Sequence, residues 1–504
     1  MRIALAQINT TVGDINGNVD MMKDYYNQAL EYDCDIIVFP EMAICGYPPE
    51  DLLLKKHFIE DTRTALEKFA ADCPRKTIIA GFAEPQNGKC YNSLAVLSDG
   101  QIKNVYRKGL LPNYGVFDEH RYFKPGEKPL VIEIDGLSIV LTICEDIWQM
   151  DWLAAFLKDY NKDLLINISA SPFHMGKIDQ KVKILSDVAV HFNCALAYCN
   201  LVGGQDELVF DGQSMFLNPN GVIAARARAF DQDLLIADIQ SDSSSGLKVK
   251  QVPIAGQKQK SQPLDLISEV YGSLVLGTRD YLRKNGFDKV VIGLSGGIDS
   301  SLVAAVAVDA VGSENVVGVT MPSRFNSPDT ITDAQVLADN LGIEFHTIPI
   351  GTTLDVFNNT LNDINGWDDK STAYENLQSR IRGTILMSLS NQFGYIVLTT
   401  GNKSETAVGY STLYGDTAGG FALLKDVPKT LVYRLSKYVN ILNAKEIIPD
   451  SVITRIPSAE LRDNQKDSDS LPDYDLLDRI LKGFVEQDKS AKQLINEGLP
   501  ADVV

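Results

Sequence analysis

Histidine is scarce, with five in 504 residues. Cysteine is absent from the whole C-terminal half. The seven present (Cys34, Cys45, Cys73, Cys90, Cys144, Cys194 and Cys199) all precede residue 200. Their number is odd and no pair has metal-ligand spacing. A secreted disulfide framework does not look like this, so reduced thiols of a cytoplasmic protein are expected, with one available for catalysis. Positive charge is in deficit. Lys and Arg number 47 against 66 Asp and Glu, a net charge of −19. Such a chain repels a phosphate backbone, which argues against nucleic acid as a partner but leaves room for a local basic pocket around a small anion. Long apolar runs are missing, so no membrane span is expected. The apolar start, Met1 to Ile8, gives way at once to a polar run; it is too short for a signal-peptide core and reads as a buried strand.

What is present is ordinary globular material: 45% hydrophobic and 22% charged residues, in a length that suits two or three domains. In the first half, short β-branched runs alternate with helical patterns. Strands are expected at 3–7, 35–39, 77–81, 93–97, 138–143, 164–168 and 195–199, and helices at 19–32, 57–71, 152–159 and 179–192, an α/β layer pattern. A stretch rich in Ser, Gln and Lys follows, with the linker placed at 246–262 between domains 1–245 and 263–504. The second half restarts with a helix at about 264–285. Strands at 289–294, 316–321 and 344–348 then alternate with helices at about 301–311 and 330–341, the pattern of a doubly wound parallel sheet.

Cys144 closes the apolar run Ile139-Val140-Leu141-Thr142-Ile143, and Glu145-Asp146-Ile147-Trp148 opens the next element. A nucleophile at such a turn is exposed at the sheet edge, and the N–H groups after it can cradle an oxyanion. With histidine scarce, the base and charge stabiliser are sought at other strand ends. Glu41 follows the strand at 35–39, and Lys108 precedes the turn Leu111-Pro112-Asn113-Tyr114-Gly115. The carboxyl ends of strands in one parallel sheet share a crevice, so Glu41, Lys108 and Cys144 are expected to meet. Singly, each has an ordinary alternative: a surface glutamate, a solvated lysine, an inert core cysteine. Their order and placement together carry the inference.

These segments, Phe39-Pro40-Glu41-Met42, the run Tyr106 to Glu119 and Ile143-Cys144-Glu145-Asp146-Ile147-Trp148, resemble the nitrilase superfamily over about residues 1–245. The resemblance implies an αββα sandwich, with Glu41 as general base, Lys108 as oxyanion stabiliser and Cys144 as the thioester-forming nucleophile. It adds Glu119 as a second glutamate and Glu145 as an N–H donor. The segment Asn167 to Lys177 resembles the loop of glutamine-using members, which implies substrate contacts from Tyr114, Ser171 and Lys177.

In the second half, Ser295-Gly296-Gly297-Ile298-Asp299-Ser300 follows a strand and opens a helix. Paired glycines let the backbone approach a ligand, and helix-start N–H groups favour phosphate. No Walker pattern occurs. A Gly-Gly turn alone is equally well structural, but the full string resembles the pyrophosphate loop of ATP pyrophosphatases. With Leu398 to Glu405, Gly409 to Asp416, Lys425 to Thr430 and Ile456 to Tyr474, it resembles glutamine-dependent NAD synthetases over about 263–504. That resemblance implies a Rossmann-like fold of the adenine nucleotide alpha hydrolase type. It implies glutamine, ATP and deamido-NAD as substrates, Mg²⁺ as cofactor and a homo-oligomer. Ser295, Gly296, Gly297, Asp299, Ser300, Thr400, Lys429 and Ser458 would handle ATP. Arg380, Asn402, Glu405 and Asp416 would meet deamido-NAD, and Asp299 with Glu405 would hold the metal. Arg380 could equally be a solvated helix residue and Asp416 a turn former. Ser458 to Ser470 would form a lid, although Lys466 stands where threonine is expected. Fusion of the two activities motivates an internal ammonia channel.

Three rivals use the same loop. A GMP synthetase would carry a Cys-His-Glu glutaminase, and an asparagine synthetase an N-terminal nucleophilic cysteine. A tRNA-modifying enzyme would carry a basic platform and cysteines near the loop. None of these features is present. A catalytically dead binding protein is the rival of another class, and Glu41, Lys108, Cys144 and Asp299 speak against it.

Overall fold

The computed structural model of the chain describes residues 1–242, 246–254 and 262–504. It divides into two compact units, Met1–Asp280 and Tyr281–Val504.

The first unit is built on two sheets. One has seven strands in the spatial order Gly246–Gln251, Asp233–Asp242, Arg2–Gln7, Ile36–Val38, Thr77–Gln86, Lys89–Ser98 and Gln101–Arg107. The other has six: Ile223–Arg226, Met215–Leu217, Ala195–Asn200, Leu164–Ser169, Leu137–Ile143 and Leu130–Ile134. The three central strands of each run parallel, and the flanking strands are antiparallel.

Strand periodicity explains the layering. Ile3, Leu5, Ile36, Val38 and Ile79 of one sheet meet Ile139, Leu141, Ile143, Ile166 and Ile168 of the other in a shared core. The intervening residues face outward. Ala4, Ile37 and Ile78 pack under helices Ile15–Glu31 and Lys56–Asp72 through Met22, Tyr26, Leu66 and Phe69. Val140, Leu165 and Leu196 pack under Met150–Leu157 and Lys177–Phe192 through Leu153, Leu185 and Val188. The result is the expected αββα sandwich. Truncating a central residue such as Ile166 to alanine would cost about 2–5 kcal/mol.

The linker expectation fails at its start. Gly246–Gln251 is an edge strand paired antiparallel with Asp233–Asp242. The alternation Leu247-Lys248-Val249-Lys250 is a half-buried strand signal hidden by the polar composition around it; Val249 lies in the inter-sheet core. Residues 255–261 of the expected linker lie outside the described residues. The helix Leu266–Lys284 begins in the first unit. Its Asp280 is buried there and accepts bonds from Asn9 Nδ2 and the Gly204 N–H, both at 2.7 Å.

The second unit has a five-stranded parallel sheet in the order Glu344–Thr347, Val316–Thr320, Val290–Gly293, Ile396–Thr399, Phe421–Ala422. Helix Ile298–Val311 starts three residues earlier than the sequence pattern suggests. It is apolar all round and buried along most of its length, as a helix inside a layered fold must be. On the other face, Ile350, Leu354, Tyr374, Ile381 and Leu386 cover Val291, Val317 and Val319. The chain leaves Val290–Gly293 in one direction and later returns on its other side. The carboxyl ends of Val290–Gly293 and Ile396–Thr399 therefore border a crevice at the topological switch point.

Candidate active sites

In the first unit Cys144 ends the strand Leu137–Ile143 and starts a short helical turn, Cys144–Ile147. Its φ of +43° is left-handed, rare for a residue with a side chain and typical of a nucleophile held in a tight turn. The side chain is buried. Glu41 and Lys108 are both buried as well, and Lys108 Nζ lies 2.8 Å from Glu41 Oε1 and 2.8 Å from Glu119 Oε1. The three meet, but not along one sheet edge as expected. Glu41 and Lys108 follow strands of the seven-stranded sheet, and Cys144 ends a strand of the six-stranded one. Face-to-face packing of the two sheets brings them together.

Around this centre most polar atoms are directed, although Asn92 Oδ1 and Glu119 Oε2 are buried without a partner. Glu41 Oε1 accepts from Asn92 Nδ2 at 2.7 Å, and its Oε2 accepts the Ala170 N–H at 2.8 Å. Glu119 accepts from Tyr47 Oη at 3.0 Å. Burial pulls against the charge of Lys108, but Glu119 and Glu41 hold its pKa well above the ordinary lysine value. Burial lifts Glu119 to about 7, opposed by Lys108 and reinforced by Glu41. Burial, then the charge of Glu41, push the Cys144 thiol up, against the pull of Lys108. The resting sulfur is therefore a thiol, not a free thiolate. Asn92 and Tyr47 were not evident in the sequence. Only the pairing of Lys89–Ser98 with its neighbours puts Asn92 against Glu41.

The expected glutamine contacts lie around the same turn. Tyr114 Oη donates to Glu145 Oε2 at 3.0 Å. Ser171 is buried, with its N–H on Asn200 Oδ1 at 3.0 Å. Lys177 donates to the Pro172 carbonyl at 2.7 Å. Burial, then the neighbouring Lys181, lower Lys177 to about 8, while the charges of Cys144, Asp211 and Glu145 oppose the shift.

In the second unit a cavity of about 1070 Å³ opens at the switch point. Ser295, Gly296, Gly297, Asp299, Ser300, Thr400, Glu405, Asp416, Lys429 and Ser458 all line it. The turn is held by its own hydroxyls: Ser295 Oγ accepts the Gly297 N–H at 3.1 Å and lies 3.2 Å from Ser300 Oγ. Gly296 has φ +79°, and a Cβ there would sit 2.1 Å from the Thr330 carbonyl oxygen. No other residue fits. Lys429 Nζ bridges Asp299 Oδ2 at 2.5 Å and Glu405 Oε1 at 3.0 Å. Burial and the charge of Asp299 raise Glu405 to about 7 against Lys429.

Two expected contacts sit elsewhere. Asn402 is fully buried and does not line the cavity. Its Nδ2 donates to Asp299 Oδ1 at 2.9 Å, and its Oδ1 caps helix Lys403–Ala407 by accepting the Glu405 N–H at 3.0 Å. Both ends of the amide are engaged, one on the Asp299 carboxylate and the other on the backbone at Glu405. Arg380 is exposed outside the cavity lining and donates to the Leu413 carbonyl at 3.2 Å; Arg382, two residues on, lines the cavity. Burial lowers Arg382 to about 10. Asp416 accepts the Thr412 N–H at 2.6 Å, closing the turn that was its ordinary alternative. In the expected lid, Ser458 Oγ donates to the Gln465 carbonyl at 2.6 Å, and Glu460 Oε2 accepts from Asn326 at 3.0 Å and Thr330 at 2.9 Å.

Fold and site together define a two-part enzyme: a cysteine amidase of the αββα type and a parallel-sheet unit shaped for nucleotide chemistry. The carbon–nitrogen hydrolase family matches residues 2–248, and the NAD synthase family matches residues 270–504. The glutamine-dependent NAD(+) synthetase of Thermotoga maritima is 44% identical over all of this chain and 92% of its own, and that of Aquifex aeolicus is 44% identical with the same coverage. The solved glutamine-dependent NAD+ synthetase of Acinetobacter baumannii, in complex with adenosine diphosphate, superposes with a TM-score of 0.86. It is 41% identical, covering 100% of this chain and 91% of that one. The chain belongs to the glutamine-dependent NAD(+) synthetase family. Among the described residues no helix is long and apolar enough to cross a membrane.

Proposed function

We propose that this chain hydrolyses glutamine at Cys144 and uses the ammonia to convert deamido-NAD to NAD at the cavity of the second unit. The observation that carries the reading is a buried Glu41–Lys108–Cys144 centre in the same chain as the Ser295–Ser300 turn. Cys144 attacks the side-chain carbonyl of glutamine while Glu41 takes the thiol proton. Lys108 and the N–H of Glu145 hold the oxyanion. Glu41 returns the proton to the leaving ammonia, and water hydrolyses the thioester to glutamate. Tyr114, Ser171 and Lys177 surround the turn and would grip the amino acid.

In the second unit the turn N–H groups and the hydroxyls of Ser295 and Ser300 would hold ATP phosphates, with Thr400 and Ser458 on the cavity wall. The carboxylate of deamido-NAD attacks the α-phosphate, pyrophosphate leaves, and ammonia then displaces AMP from the acyl adenylate. Asp416 lines the same cavity, and Arg380 stays a candidate for a substrate portion extending beyond it. Asp299 and Glu405 fit Mg²⁺. The two carboxylates converge on the same Lys429 nitrogen and would together hold the ion. When bound, the ion neutralises phosphate charge.

A cytoplasmic location suits seven free, buried cysteines. Homo-oligomerisation is supported by the exposed Leu413 and Tyr414, and light scattering checks it. The paired assay of wild type and Cys144→Ala tests the whole reading. The variant should make NAD and AMP from ammonium but not from glutamine. A wild type that makes NAD from neither source overturns the assignment. An ammonia scavenger that abolished glutamine-dependent NAD formation would exclude internal transfer of ammonia.

A further inference from the structure

The catalytic groups of the amidase come from two sheets, so their separation depends on how the Cys144 turn is fixed against the segment that carries Lys108. One side chain joins them. Asp146, two residues past the nucleophile, is fully buried. Its Oδ2 accepts the Ile143 N–H at 2.9 Å and Tyr106 Oη at 2.6 Å. Its Oδ1 accepts the Gly109 and Leu110 N–H groups, both at 3.0 Å. The first bond closes the turn on itself, from the residue before Cys144. The other three reach across to residues bracketing Lys108. A carboxylate has about four lone-pair directions, and here all four are used.

We propose that Asp146 is the positioning residue of the amidase centre, holding the left-handed Cys144 turn at working distance from Lys108. Resting on the glutaminase reading above, the proposal adds a group that never touches substrate. The chemistry favours a carboxylate at this place. Ionised, it is acceptor-only, and four converging donors, three of them backbone N–H, have no other partner type. Asparagine keeps one acceptor oxygen for Gly109 and Leu110 but turns an NH₂ toward the Ile143 N–H, donor against donor. Alanine leaves three N–H groups without this acceptor, that of buried Ile143 and those of half-buried Gly109 and Leu110. A shift of about 1 Å at either segment would misplace the oxyanion donor from the sulfur, a displacement that costs about 100-fold in rate.

The test measures glutamine hydrolysis by full-length wild type, Asp146→Asn, Asp146→Ala and Tyr106→Phe, with ammonium-dependent NAD formation in parallel. We expect kcat for glutamine to fall at least about tenfold in Asp146→Asn and about 100-fold or more in Asp146→Ala. KM should stay within about twofold, because the glutamine-gripping groups are untouched. Tyr106→Phe removes one of the four bonds and should lose about three- to tenfold in kcat while still unfolding in one cooperative transition. Ammonium-dependent NAD formation should hold in all three. If kcat is unchanged in Asp146→Asn and Tyr106→Phe, or if KM rises with kcat intact, Asp146 is not a positioning residue. If Asp146→Ala is unfolded, the Tyr106→Phe result decides. A wild type without glutaminase activity would instead defeat the functional reading itself.

Discussion

Lys108→Met provides a quantitative test of the amidase centre. Lys108 Nζ sits 2.8 Å from each of Glu41 and Glu119, and all three side chains are buried. At an effective dielectric constant of about 20, charges at such a distance attract by about 6 kcal/mol per pair. Desolvation of three charges offsets much of this, and the usual net effect of removing one buried partner is about 3–5 kcal/mol of lost stability. The loss should depend on pH in a definite direction. Without the ammonium, two carboxylates share a dry site and one prefers to be protonated. Glu119, already lifted from 4.5 to about 7 by burial although Lys108 opposes the shift, rises further. A carboxyl with a raised native-state pKa binds more protons folded than unfolded, so stability falls as pH rises through that window. The variant should therefore be destabilised less at about pH 5.5 than at about pH 8. Two of the chain's three tryptophans, Trp148 and Trp152, flank the nucleophile turn. Urea unfolding followed by fluorescence in a Trp367→Phe background reports on this unit alone. Glutamine hydrolysis should fall at least about 100-fold. A midpoint equal to that of the parent at about pH 8, or a loss that grows on acidification, would refute the electrostatic account.

Further outcomes are expected in both units. Gly296→Ala places a methyl 2.1 Å from the Thr330 carbonyl oxygen, so AMP formation should drop at least about 100-fold while glutamine hydrolysis persists. Burial and Asp299 lift Glu405 to about 7, so with Mg²⁺ held there as proposed, protons would compete with it; half-saturating Mg²⁺ should fall as pH rises through about 7, and Glu405→Gln should flatten that dependence. Tyr114→Phe loses the 3.0 Å bond to Glu145 and should raise KM for glutamine about tenfold with kcat little changed; an unchanged KM would remove Tyr114 from the substrate site.

The sequence by itself determined the chemistry and most of the local structure. Cys144 at the end of an apolar strand, Glu41 after Phe39-Pro40 and the Ser295–Ser300 string were legible because each lies on one continuous segment whose type follows from local pattern. The parallel sheet of the second unit was legible for the same reason, since strand and helix alternate with clear periods. Tertiary structure decided what depends on residues distant in the chain. Periodicity says that a strand has a buried face but not which sheet that face meets, so the origin of the catalytic groups in two opposed sheets was beyond it. Asn92 and Tyr47 carry no motif, and the motif around Cys144 does not say what Asp146 bonds; these contacts exist only as hydrogen bonds made across 51, 72 and 40 positions of chain. Asn402 sits in a recognisable motif, yet only the tertiary structure shows that it is buried with its amide on Asp299. The edge strand Gly246–Gln251 was lost among polar neighbours, because an exposed edge needs only alternate apolar residues and gains its order from the pairing with Asp233–Asp242.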